Sequence, residues 1–378
     1  MILEEIKKGE SKTLEFKQEL IDSKKLAKTI VAFSNTSGGK FVIGVADNKE
    51  IIGVDKDTIP ETIDKIANII DDTCAPQIRP HIYTENINGK IIIIIETFAG
   101  YQKPYYIKNE GINEGVYIRI ASTTRKADKT TIRNLERTRE NIGYDEEINH
   151  NITRDYDAET KFYADFETYA KKSISEKDLF NLKLLKEVNG ESIPTNAYGL
   201  FIKPSDLEHG IIKCARFKGT TTTHFIDRKE IELPVYKQIE QAMSFAQMYI
   251  ALGSTIVGVR RIDKYAMPMD AIREAIANAV THRDYSRNNA FIMLNIFDDR
   301  LEITSPGELP GLLSIDQIKT GRSEIRNRVV AKILKQMGFI EEWGTGINRI
   351  ITISQEWGVK EPVFEEIGQS FRATVFAQ

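Results

Sequence analysis

Cysteine is scarce in this chain. Its 378 residues hold two, Cys74 and Cys214, far apart and without metal-type spacing. Neither a disulfide framework nor a Cys-based zinc site is supported. Long hydrophobic runs are missing as well. The longest aliphatic stretch, Ile91 to Ile95, is far short of the ~20 residues that span a bilayer. The N-terminal MILEEIKKGE has no apolar signal core. The expectation is a cytoplasmic protein without membrane association. An excess of one charge is also absent: 52 Lys and Arg stand against 55 Asp and Glu, a net charge of −3. Any nucleic-acid surface must therefore be a local patch and not a global field. No G-x-x-x-x-G-K-[ST] phosphate loop occurs, which disfavours a P-loop helicase motor. No helix-turn-helix reader, internal repeat or low-complexity tract is recognisable.

What is present is a globular composition, 41% hydrophobic and 28% charged, in a length that fits two or three domains. The apolar stripe in Lys24 to Ser34 predicts a helix, stopped by Asn35-Thr36-Ser37-Gly38-Gly39. Lys40 to Val45 reads as a buried strand. It turns at Asp47-Asn48-Lys49 and returns through Ile51 to Val54 as a hairpin. Glu61 to Asp71 is a helix. Strands follow around Ile82, at Ile91 to Thr97 and at Gly115 to Ile120, and Ile132 to Thr138 closes the region as a helix. Polar, aperiodic sequence from Glu140 to Asp155 marks a boundary. The expected division is a domain over 1–140, a linker over 141–174 and a second domain over 175–378. In the second, Ser175 to Glu187, Pro234 to Leu252, Pro268 to His282, Arg326 to Met337 and Ile347 to Gln355 read as helices. Tyr198 to Ile202, Lys213 to Phe217, Ala290 to Phe297, Leu301 to Thr304 and Phe371 to Phe376 read as strands. The fold class is mixed α/β (α+β).

Two groups of residues in the first domain bear chemistry. Glu10 and Glu15 lie in ESKTLEFK, and Asp47 follows the strand Lys40 to Val45. Three carboxylates around one point hold a hard divalent ion and lower the pKa of its water. The same three also suit charge pairing with Lys12, Lys17 or Lys40, and Asp47 suits a turn. Between Tyr117 and Arg139 lie seven basic residues, Arg119, Arg125, Lys126, Lys129, Arg133, Arg137 and Arg139, against Asp128 and Glu136. With the hydroxyls of Ser122, Thr123 and Thr124 they form the mix of cations and short donors that backbone phosphates favour. An ordinary charged helix face is the alternative. Tyr101, Tyr105 and Tyr106 are either stacking surfaces for unpaired bases or core.

In order, ESKTLEFK, AFSNTSGGKFVIGVAD, IIGVD and VYIRIASTTRKAD resemble the Schlafen-type AlbA domain, over roughly the first third of the chain. The resemblance implies an AlbA-like mixed sheet with helices that binds DNA or RNA. In nuclease members, two glutamates and an aspartate form a metal-dependent cleaving site. The matching positions are Glu10, Glu15 and Asp47, so an endonuclease for RNA or single-stranded DNA is one implied alternative.

The second domain carries REAIANAVTHRDY over Arg273 to Tyr285. On a helix Glu274, Asn278 and His282 share one face. A polar stripe on a largely apolar helix needs partners: a metal and phosphates in a cleft, or internal hydrogen bonds at a seam. Gly344 and Gly346, around Thr345, precede a helix whose positive end admits a phosphate. Glycine pairs also cap helices. Together with LEITSPGELP, the block EIRNRVVAKILKQMGFIEEWGTGINRI and EPVFEE, the motif resembles the GHKL-type ATPase domain of proteins labelled RecG-related or transcriptional regulators, over most of Ser175 to Gln378. The resemblance implies a Bergerat α/β sandwich that binds ATP and Mg²⁺. Glu274 matches the water-activating glutamate, and Asn278 matches the magnesium-holding asparagine. His282, Gly307, Arg322, Arg326, Gly344, Thr345 and Gly346 fall around the nucleotide. The usual D-x-G-x-G box is absent: the corresponding stretch is Ser305-Pro306-Gly307-Glu308-Leu309, without the aspartate that reads adenine.

The combined expectation is a nucleic-acid-binding transcriptional regulator, oligomeric by resemblance, with ATP gating its binding or assembly. Its nucleic-acid contacts would be Arg119, Ser122, Thr123, Thr124, Arg125 and Lys126. The alternatives are the nuclease, and a scaffold with a dead nucleotide cleft.

Overall fold

The computed structural model describes residues 2–207, 210–257, 260–310, 313–341 and 346–378. The chain divides into two units, Met1–Ile142 and Gly143–Gln378.

The first unit runs α1 (Ile2–Lys8), β1 (Leu14–Lys17), α2 (Ser23–Asn35), β2 (Gly39–Ile43), α3 (Ile59–Thr73), β3 (Cys74–Ala75), β4 (His81–Ile87), β5 (Lys90–Thr97), β6 (Tyr106–Ile107), α4 (Gly111–Glu114), β7 (Tyr117–Ile120), β8 (Thr123–Lys126) and α5 (Lys129–Glu140). Four strands form a sheet in the order β1-β2-β5-β4. The pair β1–β2 is parallel and the others are antiparallel. The isoleucine run lies in interior strand β5. Ile93 and Ile95 pack with Leu26, Ile30 and Phe33 of α2 and Ile66 of α3. Ile92 and Ile94 pack on the other face, with Phe16 and with Ile2 and Ile6 of α1. A strand buried on both faces reads as a continuous apolar run and not as an alternation. The expected hairpin forms as a short one: around the 47–49 turn the Ala46 N–H donates to the Glu50 carbonyl and the Ile52 N–H to the Gly44 carbonyl, both at 2.9 Å. Val45 and Ile51 make an isolated bridge, and the edge of β2 is taken by β5, which has more apolar surface to bury there.

The second unit runs α6 (Tyr156–Ala170), α7 (Glu176–Asn181), β9 (Leu185–Val188), β10 (Glu191–Pro194), α8 (Asn196–Phe201), β11 (Ile212–Phe217), β12 (Phe225–Ile231), α9 (Val235–Tyr249), β13 (Leu252–Val257), β14 (Arg260–Tyr265), α10 (Met269–His282), β15 (Ile292–Ile296), β16 (Arg300–Pro306), α11 (Ile315–Lys319), α12 (Arg328–Gln336), α13 (Gly346–Trp357), β17 (Val363–Ile367) and β18 (Ser370–Phe376). Six strands form a mixed sheet ordered β12-β11-β15-β16-β18-β17, with β11–β15 parallel. The register aligns Leu294, Ile303, Ala373 and Phe364 in one row. This row belongs to the core with α9, α10 and α12. Arg300, Glu302, Arg372 and Glu365 pair on the opposite face. One apolar and one polar face give helices layered on a half-solvated sheet. The mixed α/β (α+β) class is as expected.

Three local expectations change. Residues 198–201 are helical in α8 and not a strand, and Ile202 caps the helix. All six residues of α8 are buried, and a short run that is buried all round carries no period to separate helix from strand. The helix starting at Ser175, held by a Ser175–Asp178 capping box, ends at Asn181. Lys183 then takes φ 58°, and the chain continues into β9. The stretch 141–174, read above as a linker, contains α6, whose Phe162 and Phe166 belong to the core of the second unit.

Candidate functional site

Helix α10 is capped by Pro268 and carries Glu274, Asn278 and His282 at four-residue steps. Its apolar residues Ile272, Ala275, Ile276 and Val280 fix its rotation by joining the core. Two members of the stripe, Asn278 and His282, are thereby turned toward a cleft of about 890 Å³, open mouth included. Asn278, His282, Gly307, Arg322 and Gly346 all line it. The apolar wall comes from Ala275, Ala279, Ile303, Ile347, Phe371 and Ala373.

Gly346, the first residue of α13, lies against the stripe. A Cβ there would fall 2.5 Å from Glu274 Oε1 and 2.7 Å from Asn278 Nδ2. Only glycine lets the helix start approach these side chains so closely. Asn278 Nδ2 donates to Glu274 Oε1 at 3.4 Å. Burial pushes the Glu274 carboxyl above its usual range, against the charges of Arg273 and Arg349. A carboxylate poised in this way suits proton abstraction from water. Burial, with the Arg326 charge adding to it, pushes His282 down to about 4; its imidazole is neutral at neutral pH.

The loop after β16 is shaped by Gly307, with φ +112°. A Cβ there would meet Arg326 Nη1 at 2.6 Å and Asp284 Cβ at 2.9 Å. Arg326 pairs with Asp284 at 3.2 Å and donates to the Glu308 carbonyl. It therefore sits behind the Gly307 loop as a brace, whereas Arg322 faces the cleft. Gly344 and Thr345 lie outside the described residues. Asn327 donates to the carbonyls of Thr281 and Arg283, at 2.9 and 2.7 Å, and so fastens the end of α10. Asp145 accepts from the N–H groups of Val329 and Val330, at 2.7 and 3.0 Å, which cap α12. Sequence reasoning missed these supports. Asp284 was inside the quoted motif, but Asp145 lay in sequence that looked like a linker.

In the first unit Arg119 is not available to phosphate. Its side chain is 0% exposed and pairs with Glu15. It also donates to Thr124 Oγ1 at 3.0 Å and to the Ser11 carbonyl at 2.9 Å. Cross-strand neighbours explain this: Arg119 pairs in register with Thr124 on the β7–β8 hairpin, on the buried side. Ser122, Thr123, Arg125 and Lys126 are exposed; Arg125 Nε donates to Thr123 Oγ1 at 3.3 Å, and Lys126 pairs with Glu114. Of the trio, Glu10 and Glu15 are drawn together by Lys17, at 2.9 and 3.9 Å, whereas Asp47 takes no part in these contacts. Glu10 bonds Lys17 at 2.9 Å and the Phe16 N–H at 3.2 Å, Glu15 is held by Arg119, and Asp47 is exposed. Among the described residues no three His, Cys, Asp or Glu side chains converge as a metal site. The tyrosines divide: Tyr105 is core, whereas Tyr101 is 91% exposed. No described helix is long and apolar enough to cross a membrane.

Comparison with known proteins places these units. The family model of Schlafen, AlbA_2 matches residues 10–128. The model described as putative ATP-dependent DNA helicase recG C-terminal matches residues 289–375, a region that takes in Gly307, Arg322, Arg326 and Gly346 but not α10. No curated protein matches the chain. A crystal structure of the DIP2311 protein from Corynebacterium diphtheriae is similar over 97% of this chain and 75% of its own, at 20% identity and a TM-score of 0.53; that likeness is one of fold. The solution structure of the N-terminal domain of a putative ATP-dependent DNA helicase RecG-related protein from Nitrosomonas europaea aligns with 33% of this chain and 90% of its own, at 24% identity and a TM-score of 0.25. The chain thus carries one region that matches the Schlafen, AlbA_2 model and a later one that matches the recG C-terminal model.

Proposed function

We propose that the chain is a nucleic-acid-binding regulator of transcription whose second unit binds ATP with Mg²⁺, and that nucleotide occupancy sets its grip on nucleic acid. The observation that carries the nucleotide half is convergence. Asn278, His282, Gly307, Arg322 and Gly346 come from separate segments and line one cleft. The donor set fits the ligand. The amide oxygen of Asn278 suits a hard cation that retains most of its water. The N-terminus of α13 at Gly346 offers backbone N–H groups and a positive dipole end to phosphate. Glu274, buried and raised in pKa, would activate the attacking water. The nucleic-acid half rests on the outer surface of the β7–β8 hairpin, with Ser122, Thr123, Arg125 and Lys126, and on Lys129 and Arg133 of α5, all exposed. Contacts of this kind hold phosphates without reading bases.

The test is a pair of titrations of labelled DNA and RNA into the full chain, with and without ATP–Mg²⁺. Salt-sensitive binding whose affinity changes with ATP supports the reading. No binding at low salt, or one affinity in both arms, overturns it.

A further inference from the structure

The cleft has two unlike ends. At one, Gly346 touches Glu274 and Asn278, where phosphates and metal would sit. At the other, one helical turn further along α10, His282 stands near Ser305 and Gly307. Between them α10 presents only Ala275 and Ala279, and the sheet presents Ile303, Phe371 and Ala373. Small residues on one side and flat apolar ones on the other leave a slot suited to a planar ring.

At the His282 end two other polar groups, Ser305 and Arg326, are already committed. Ser305 Oγ donates to the Ala279 carbonyl at 2.9 Å. Arg326 is held by Asp284 and the Glu308 carbonyl. The position where a D-x-G-x-G box would put its aspartate is Ser305. The imidazole of His282 carries no hydrogen bond from the described residues; burial and the Arg326 charge are what act on it. A neutral imidazole has one donor and one acceptor nitrogen. His282 is half-buried and faces the cleft with neither nitrogen satisfied by the described residues, which leaves both for water or a ligand in the cleft to complete.

We propose that His282 reads the base of the bound nucleotide, its free ring nitrogen accepting from an exocyclic amino group such as that of adenine. His282 thereby takes over the work of the missing aspartate. This inference rests on the nucleotide-binding reading above. It adds which side chain selects the base and by what chemistry.

The experiment measures binding of three ligands, each with Mg²⁺, to the full chain and to His282→Ala: ATP, purine riboside triphosphate (which lacks the amino group) and inorganic tripolyphosphate. The wild type should favour ATP over purine riboside triphosphate by about tenfold, the worth of one hydrogen bond. His282→Ala should bind both equally, at the weaker value, with tripolyphosphate unchanged. Equal affinity of wild type and variant for ATP overturns the assignment while leaving the nucleotide site standing. Failure of the wild type to bind even tripolyphosphate overturns the nucleotide reading and this inference with it. Proton–nitrogen spectra of the five histidines test the assignment without the alanine variant, His282 being identified by His282→Gln. ATP must shift the His282 ring signals and tripolyphosphate must not; unmoved signals with ATP at saturation refute the proposal.

Discussion

Arg119 is where a phosphate contact and a structural clamp make opposite predictions. Its side chain is 0% exposed and that of its partner Glu15 is 13% exposed, so water screens the pair little. The guanidinium lies 5.1 Å from the centroid of the Phe33 ring and ties the 11–13 loop to the β7–β8 hairpin. Arg119→Met leaves the half-buried Glu15 carboxylate with Lys17 alone, 3.9 Å away, which costs about 3 kcal/mol, the upper end for a charged group that loses its hydrogen-bond partner. For a unit of this size each kcal/mol lowers the melting temperature by roughly 3–4 °C, so a fall of about 10 °C is expected. Adding Glu15→Gln to Arg119→Met should restore part of it, because the stranded charge is gone. The assay is thermal unfolding of the full chain, with the first unit's transition followed separately where two appear. Nucleic-acid titration is then done well below the midpoint, where the folded variant should bind within about twofold of wild type. A variant that melts with the wild type but loses polyanion affinity refutes the clamp and restores Arg119 to the binding surface.

Other outcomes follow from the same geometry. Gly346→Ala puts a methyl against Glu274 and Asn278 and should cost about 1–3 kcal/mol by overpacking, with ATP affinity falling alongside; calorimetry on both checks it. Glu274→Gln should retain ATP binding and lose about 10²–10⁴-fold in any hydrolysis, the usual contribution of a general base, read by phosphate release. Arg125→Ala and Lys126→Ala should each weaken DNA or RNA binding uniformly across sequences and reduce the salt slope by about one. Asp145 is the pH probe. Burial raises its carboxyl to about 6, above its unfolded value, so folding favours the protonated form. Stability is therefore lost as pH rises through the folded pKa, by about 3 kcal/mol once fully ionised. Asp145→Asn should remove that slope, as seen by denaturant unfolding at pH 4.5 and pH 7. Identical wild-type and variant slopes would count against it.

Long elements with one buried stripe were legible in the sequence. Helices α2, α3, α9, α10, α12 and α13 each show a 3.6-residue apolar period, and each appears within a few residues of its expected ends. Illegible stretches were those whose burial erases the period. In α8 every residue is inside, so Tyr198 to Ile202 fitted a strand equally well. The hairpin turning at 47–49 followed from local turn chemistry and forms, with a single Val45–Ile51 bridge. Strand choice, however, depended on which segment could cover both faces of the sheet, and β5 is about 40 residues further on. Helix α6 was hidden because its polar lead-in looks like a boundary, although Asp145 and Glu146 within that lead-in are buried.

Site residues divide along the same physical line. A stripe on one helix is a local property, so the grouping of Glu274, Asn278 and His282 followed from their spacing alone. Whether a cation faces water is not local. Arg119 and Arg326 carry the same guanidinium as Arg125 and Arg322, yet both are consumed by carboxylates distant in sequence or by a loop carbonyl. Each bonds the backbone as well as a carboxylate, which holds a loop in one place: the 11–13 loop in the first unit, the Gly307 loop in the second. The positive charge counted in these regions therefore overstates what is free to meet a polyanion. Within 117–139 the exposed hairpin and helix positions, and not the strand interior, set the number of phosphates the first unit can neutralise. The measured salt slope should track Ser122 to Arg133 and stay indifferent to Arg119.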